Sequence, residues 1–382
     1  MPAERSGPLA GLRVVEVASL APAPFGCMIL ADLGADVLRV DRAGAAAALS
    51  TPPGVLDRGR RTIALNLKDP DGVAVLKSLV AGADVFVEGF RPGVTERMGI
   101  GPDDLAEVNP RLIYARMTGW GQDGPFAQRA GHDINYIAIS GVLEQIGRPG
   151  SPPTPPLNLL GDFGGGGLLM VMGILAALFE RASSGRGQVV DAAMVDGSNL
   201  LMSMMYGLHA QQLWNDERAT NIFDGSAAFY DCYPTSDGKF MSVGAVEPQF
   251  FAELLDRLGL AGEDLPFHLD PSGWPVLKAR LAEVFATKTR DEWAEIFFDS
   301  DACVAPVLSP WEAHQHPANA ERGTFVEVDG LVQPAPAPRF SRTPWAAPRP
   351  VDADGRDLAA TLEFWGIAPA EAAKLTEAGI VS

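Results

Sequence analysis

Apolar and polar positions change their period in short, regular blocks over the first 120 residues. Leu12 to Ala18 (LRVVEVA) is a β-branched run that reads as a strand, FGCMILADLG has helical spacing and stops at Gly34, and Asp36 to Asp41 (DVLRVD) is a second strand. Strand, helix and strand so close together make a βαβ unit, which demands parallel pairing and a right-handed crossover. The alternation continues with a helix near Gly72 to Val80, a strand DVFVEGF ending at Phe90, helical segments to Val108 and a strand LIYARMTGW. The expected fold class is α/β, with a Rossmann-like doubly wound parallel sheet. Such sheets bind ligands beyond the carboxyl ends of their strands, where this chain carries Asp41-Arg42, Gly89-Phe90-Arg91 and Gly119-Trp120-Gly121. ASLAPAPFG, not GxGxxG, follows the first strand, which argues against a nicotinamide enzyme.

Beyond a Pro-rich loop (Pro149 to Pro156) come NLLGDFGGGGLLMVMGILAALFE, a strand QVVDAAM and a long Met-rich helix from about Gly197 to Trp214. The texture changes near Phe229: FYDCYPTSDGKFMSVGAV is two strands around an Asp-Gly turn, followed by helical segments from Pro248, Trp274 and Arg290. PAPAPRFSRTPWAAPRP is an extended strap. The expected divisions are a large domain over 1–200, a linker helix over 201–224, a small α+β domain over 225–325, and a return strap with a segment packing on the large domain over 326–382. The longest apolar run, Leu168 to Phe179, falls short of the roughly 20 residues a membrane helix needs and reads as a core helix. No membrane partner is expected.

Composition agrees with a soluble globular protein: 47% of residues are hydrophobic and 20% charged, and 382 residues exceed one ordinary core. The start, MPAERSGPLAGLRVVEVA, shows no secretory pattern. Cys27, Cys232 and Cys303 have no CxxC spacing, which points to a reducing, cytoplasmic setting and away from structural zinc. A net charge of -18 opposes nucleic-acid binding. The charge is uneven, at -1 over residues 1–130 and -17 over the remainder, so an anionic small ligand belongs in the first third. Arg58, Arg60 and Arg61 are the densest basic cluster there, with Arg39, Arg42, Lys68, Arg91 and Arg97 near in sequence; they are either a phosphate site or solvated surface arginines.

Two stretches could carry chemistry. In GHDINYIAISG, His132 heads a run about to enter the core, as a satisfied core or turn imidazole or as a proton carrier. In GDFGGGG, Gly161 to Gly167, successive glycines cost backbone entropy ahead of an apolar helix, so something approaches the backbone closely. Either helices pack tightly there with Asp162 as an N-cap, or a ligand carbonyl meets unpaired N–H groups at the helix start with Asp162 beside an oxyanion site.

GLRVVEVASLAPAPFGCMILADLGADVLRVDR, VEGFRPGVTERMGIGP, RMTGWGQDGP, AGHDINYIAISG, NLLGDFGGGG, GQVVDAAMVDG and VGAVEPQF occur in order from about residue 7 to 345. Together they resemble the α-methylacyl-CoA racemases of the family III CoA-transferase superfamily. The resemblance implies an interlocked homodimer, with active sites between the large domain of one subunit and the small domain of the other. It implies His132 and Asp162 as the acid/base pair, Glu247 supporting the histidine, and Asp133 and Tyr230 in the same polar shell. It maps CoA contacts to Arg42, Leu65, Asn66, Leu67, Lys68, Gly89, Phe90, Arg91, Pro92, Gly93, Arg97, Gly131, Asp133, Ile134, Asn135 and Tyr136. The implied substrates are (2R)- and (2S)-2-methylacyl-CoA thioesters, with neither metal nor redox cofactor.

Inverting a carbon next to a thioester requires two acid/base groups on opposite faces, and a histidine with a carboxylate neighbour suits one of them. Met202, Met204 and Met205 are either an adaptable acyl surface or plain core. Two rival readings remain: a CoA-transferase using Asp162 as covalent nucleophile, and a catalytically silent CoA-binding protein.

Overall fold

A computed structural model describes residues 6–43, 54–350 and 358–382. It divides into two compact units: Met1–Ser140, Leu157–Leu201 and Ala318–Ser382 form the first, Gly141–Pro156 and Met202–Pro317 the second. The first unit therefore lacks 141–156, which the sequence reading placed inside a continuous 1–200.

The first unit is built on six parallel strands, β1 Arg13–Val17, β2 Asp36–Arg42, β3 Arg61–Leu65, β4 Val85–Glu88, β5 Ile113–Thr118 and β6 Gln188–Ala193, in the order β3-β2-β1-β4-β5-β6. The order reverses between β1 and β4. Every residue of β4 and β5 is buried, as expected of strands covered on both faces, whereas β6 at one edge is half exposed. β3 (RTIAL), at the other edge, was not read from the sequence; it mixes apolar residues with Arg61 and Thr62, and only Ile63 and Leu65 are buried.

Side chains alternate between two cores across this sheet. Val15, Leu38, Ile63 and Phe86 face one core with α2 (Pro70–Ala81), while Val14, Val37, Val87 and Ile113 face another with α1 (Pro22–Asp32). α3 (Val94–Arg97) and α4 (Pro102–Val108) connect β4 to β5, and α5 (Asp133–Ile139) follows β5. The apolar run is longer as a helix than as a string of residues. A π-helical stretch, Leu159–Leu168, runs straight into α6 (Leu169–Ser184), and these 26 residues are long and apolar enough by length and composition to cross a membrane. In this fold Met170, Val171, Ile174 and Ala177 bury one side of α6 in the core, so its opposite side is left uncovered. α7 (Met194–Leu201) follows β6.

Two members of the arginine cluster depart from both sequence readings. Arg58 and Arg60 are neither surface groups nor open to a ligand: they are 3% and 2% exposed. Arg58 grips the buried Asp32 with Nη2–Oδ2 2.6 Å and Nε–Oδ1 3.1 Å. Arg60 is ion-paired with the buried Glu16 and, at 2.5 Å, with Asp57. Arg39 pairs with Asp41 and Asp57. Charge this deep persists only when matched, and internal carboxylates match it.

In the second unit the expected Met-rich helix is interrupted at Met202, and α8 spans Ser203–Ala210. β7 (Asp231–Pro234) and β8 (Phe240–Val243) pair antiparallel through a turn with Gly238 at φ +75°, and β9 (Val304–Pro306) joins β8. α9 (Pro248–Leu258), α10 (Trp274–Phe285) and α11 (Arg290–Phe297) cover this sheet around Phe229, Tyr233, Leu254 and Trp293. The satisfied core imidazole of this chain is His268, 4% exposed, stacked 4.4 Å from Phe251 with Nε2 3.1 Å from the Val246 carbonyl. The chain continues through α12 (Pro317–Arg322), a ribbon of β10 (Phe325–Val328) and β11 (Leu331–Pro334), then α13 (Leu358–Phe364) and α14 (Pro369–Glu377). The ribbon occupies part of the stretch read from sequence as strap.

Candidate active site

Four cations expected to meet CoA remain unmatched by internal acid. Arg42, Lys68, Arg91 and Arg97 are exposed and make no ion pair among the described residues. Their placement follows from topology. Arg42 ends β2 and is paired in register with Leu65, the end of β3; Asn66, Leu67 and Lys68 follow; Gly89 to Gly93 lead from β4 into α3, which ends at Arg97. All lie beyond the carboxyl ends of parallel strands, on both sides of the reversal between β1 and β4.

His132 is exposed rather than buried. It is the N-cap of α5, with its N–H donating to Asn135 Oδ1 at 3.0 Å, while the Asn135 N–H donates to the His132 carbonyl at 2.8 Å. Asn135, expected at the ligand, thus also holds the histidine backbone. The next residue goes inward. Asp133 is 5% exposed, and its Oδ2 accepts the N–H groups of Gly161 at 2.6 Å and Asp162 at 2.8 Å. One carboxylate therefore fastens the head of α5 to the segment carrying Asp162. A Cβ on residue 161 would sit 2.8 Å from Asp133 Oδ2, so glycine is what permits this approach.

Asp162 is not an N-cap. It lies within the π-helical stretch, whose N-cap is Asn158, and Asn158 Nδ2 donates to Asp162 Oδ2 at 3.0 Å. Asn158 is a holding residue that the sequence reading missed; its signal was the four-residue spacing to Asp162 on one helix. The glycines that follow are explained by packing. A Cβ at 165 would be 2.7 Å from the Ser198 nitrogen of α7, and one at 167 would be 2.7 Å from the Pro22 carbonyl of α1. Nor are the Gly161 and Asp162 amides open for an oxyanion, because Asp133 occupies them.

Burial raises the Asp162 carboxyl above its ordinary value; the Asn158 bond opposes this, the Asp133 charge adds to it and His132 draws it down. His132 is therefore near enough for its charge to act on the Asp162 carboxyl. Tyr136 is buried beside them: its hydroxyl donates to the Gly131 carbonyl at 2.6 Å, its ring meets Trp120 edge-on at 4.8 Å, and burial raises its hydroxyl to about 12. Arg91 lowers and Asp162 raises that hydroxyl, which places both charges around this ring. Trp120 was expected at a ligand-facing strand end but not among the mapped CoA contacts. Ile134 is exposed on α5.

Glu247 and Tyr230 stand in the second unit. Glu247 is the exposed N-cap of α9, and Tyr230 is 41% exposed with its ring edge-on to Phe223 at 5.1 Å.

Comparison with known proteins places the chain in a family. The model of CoA-transferase family III matches residues 9–356. Alpha-methylacyl-CoA racemase of Mus musculus is 54% identical over 338 residues, 88% of this chain and 87% of its own. The Homo sapiens racemase is 50% identical over 337 residues, again 88% and 87%. The crystal structure of a CAIB/BAIF family protein from Brucella suis superposes with a TM-score of 0.80 at 25% identity, over 94% of this chain and all of that one. A family match over nearly the whole chain, joined to identity above one half over 87% of a relative's length, leaves one assignment: the chain belongs to CoA-transferase family III.

Proposed function

We propose that this chain is an α-methylacyl-CoA racemase, interconverting (2R)- and (2S)-2-methylacyl-CoA by moving one proton off and another onto the carbon next to the thioester. The observation that carries the reading is the Asp133 carboxylate bound to the Gly161 and Asp162 amides, which sets Asp162 beside the His132 end of α5. One of the two side chains removes the α-proton, leaving an enolate, and the other returns a proton to the opposite face. The raised Asp162 carboxyl is a better proton acceptor than an ordinary one. With the Gly161 and Asp162 amides in use, the enolate oxygen falls to the N–H of Asp133, which has no acceptor among the described residues.

In this reading Arg42, Lys68, Arg91 and Arg97 hold the anionic end of CoA, and Glu247 of a second copy supports His132. Leu168, Met172, Phe179, Val189, Leu200 and Leu201 of the first unit are each at least 47% exposed, an apolar surface that a homodimer would cover. Free thiols at Cys27, Cys232 and Cys303 fit a cytoplasmic setting.

The test is (2S)-2-methylacyl-CoA in heavy water. The α-proton should exchange with loss of chirality, and His132→Ala and Asp162→Ala should each remove most of the rate. Full activity in either variant would end the assignment. An aspartyl anhydride trapped at Asp162 by hydroxylamine would instead make the chain a CoA-transferase.

A further inference from the structure

The family match stops at residue 356, but the fold does not. Leu362, Trp365, Ile367, Ala372, Ile380 and Val381 are buried in the same core as Ile63, Leu65 and Leu76. Arg13 stacks on Phe364 and Trp365 at 4.9 and 5.1 Å, and Arg61 on Phe364 at 5.3 Å. The chain then lies antiparallel along β3, the edge strand, with Val381 opposite Leu65. Three backbone hydrogen bonds fix it: Ala64 N–H to the Ser382 carbonyl at 2.7 Å, Ser382 N–H to the Ala64 carbonyl at 3.1 Å, and Asn66 N–H to the Ile380 carbonyl at 3.3 Å.

The last of these reaches a turn. Asn66 also accepts the Asp69 N–H on its carbonyl at 3.0 Å and the Lys68 N–H on Oδ1 at 3.3 Å, and its carbonyl lies 2.2 Å from where a Cβ of residue 72 would be. Asn66 is therefore pinned from three directions, and one pin belongs to Ile380. An open edge strand would leave Ala64 and Asn66 with unpaired N–H groups and Asn66 free to turn.

We propose that Ile380–Ser382 is a positioning element for the anionic ligand: by pairing with Ala64–Asn66 it holds Lys68, and the Arg42 that neighbours Leu65, in their binding arrangement. This rests on the assignment of CoA to residues 65–68. CoA itself is the probe, titrated calorimetrically against the full chain and against a chain lacking Ile380–Ser382. Freed side chains must be ordered at each binding event, so the dissociation constant should rise about 5- to 20-fold, with KM for the acyl-CoA rising alike and kcat within about twofold. Hydrogen exchange at 61–68 should speed up in parallel. Unchanged CoA affinity in the folded deletion, or a fall in kcat at constant KM, overturns the proposal.

If the deletion does not fold, Ser382→Pro decides, since it removes the N–H given to Ala64 and keeps the Ile380 and Val381 side chains, whose extended backbone a following proline accepts. A rise of about two- to fourfold supports the proposal and no change overturns it. Lys68→Ala separates the two assignments. Unchanged affinity there brings down the placement of CoA together with this inference, whereas weakened affinity beside an intact deletion brings down this inference alone.

Discussion

Replacing Asp133 tests how the site is assembled. Its Oδ2 takes two N–H groups at 2.6 and 2.8 Å in a position 5% exposed. Alanine leaves both amides without an acceptor, at about 1–3 kcal/mol each, so Asp133→Ala should lose about 2–6 kcal/mol of stability. Asparagine keeps one oxygen facing the amides but turns two charge-assisted bonds into neutral ones, a difference of about 1 kcal/mol each, so Asp133→Asn should lose about 2 kcal/mol and fold. Urea unfolding, read at the midpoint with unchanged slope, measures both.

The charge has a second effect. The Asp133 carboxylate helps hold the Asp162 carboxyl above its ordinary value, because a like charge disfavours ionisation. Removing it should lower the Asp162 value, and the acid limb of the α-proton exchange rate should move to lower pH in Asp133→Asn. An Asp133→Ala protein within about 0.5 kcal/mol of the parent, a change small even for a surface substitution, would refute the bracing of Gly161 and Asp162. A limb that moved to higher pH would refute the electrostatic part.

Two further outcomes follow from the charged groups of the first unit. Arg60→Met strands the buried Glu16 and should cost about 3–5 kcal/mol, whereas Arg42→Ala and Arg91→Ala should leave the unfolding midpoint in place and weaken CoA binding; melting curves beside CoA titrations separate the classes. Burial raises Glu88 from 4.5 to about 7, against its bonds to the Phe90 N–H and Arg116. Its unfolded form therefore ionises first as pH climbs. Stability from the neutral side chain is complete below about 4.5, declines up to about 7 and is level above, so Glu88→Gln should flatten this part of the unfolding free energy against pH; an unaltered slope between pH 5 and 7 would contradict it.

The parallel α/β architecture was legible in the sequence because its interior strands are short runs rich in apolar and β-branched residues, with charged residues interspersed, and its helices keep a helical period. The segments bearing the candidate site were legible too, since AGHDINY and NLLGDFGG are short and continuous. What those residues do to each other was not. Nothing in the string distinguishes Arg58 and Arg60, matched by Asp32 and Glu16 inside the fold, from Arg42 and Lys68, exposed at and beyond strand ends with no ion pair among the described residues. The glycines of residues 161–167 were open to two uses, helix packing or a ligand, and those at 165–167 are room for α1 and α7. The amides expected to await an oxyanion are held by Asp133, 28 and 29 positions away. A strand or helix is written in the sequence because its period repeats over neighbouring residues. A carboxylate's partner is chosen by which distant segment the fold brings within 3 Å, and only the tertiary structure decides that.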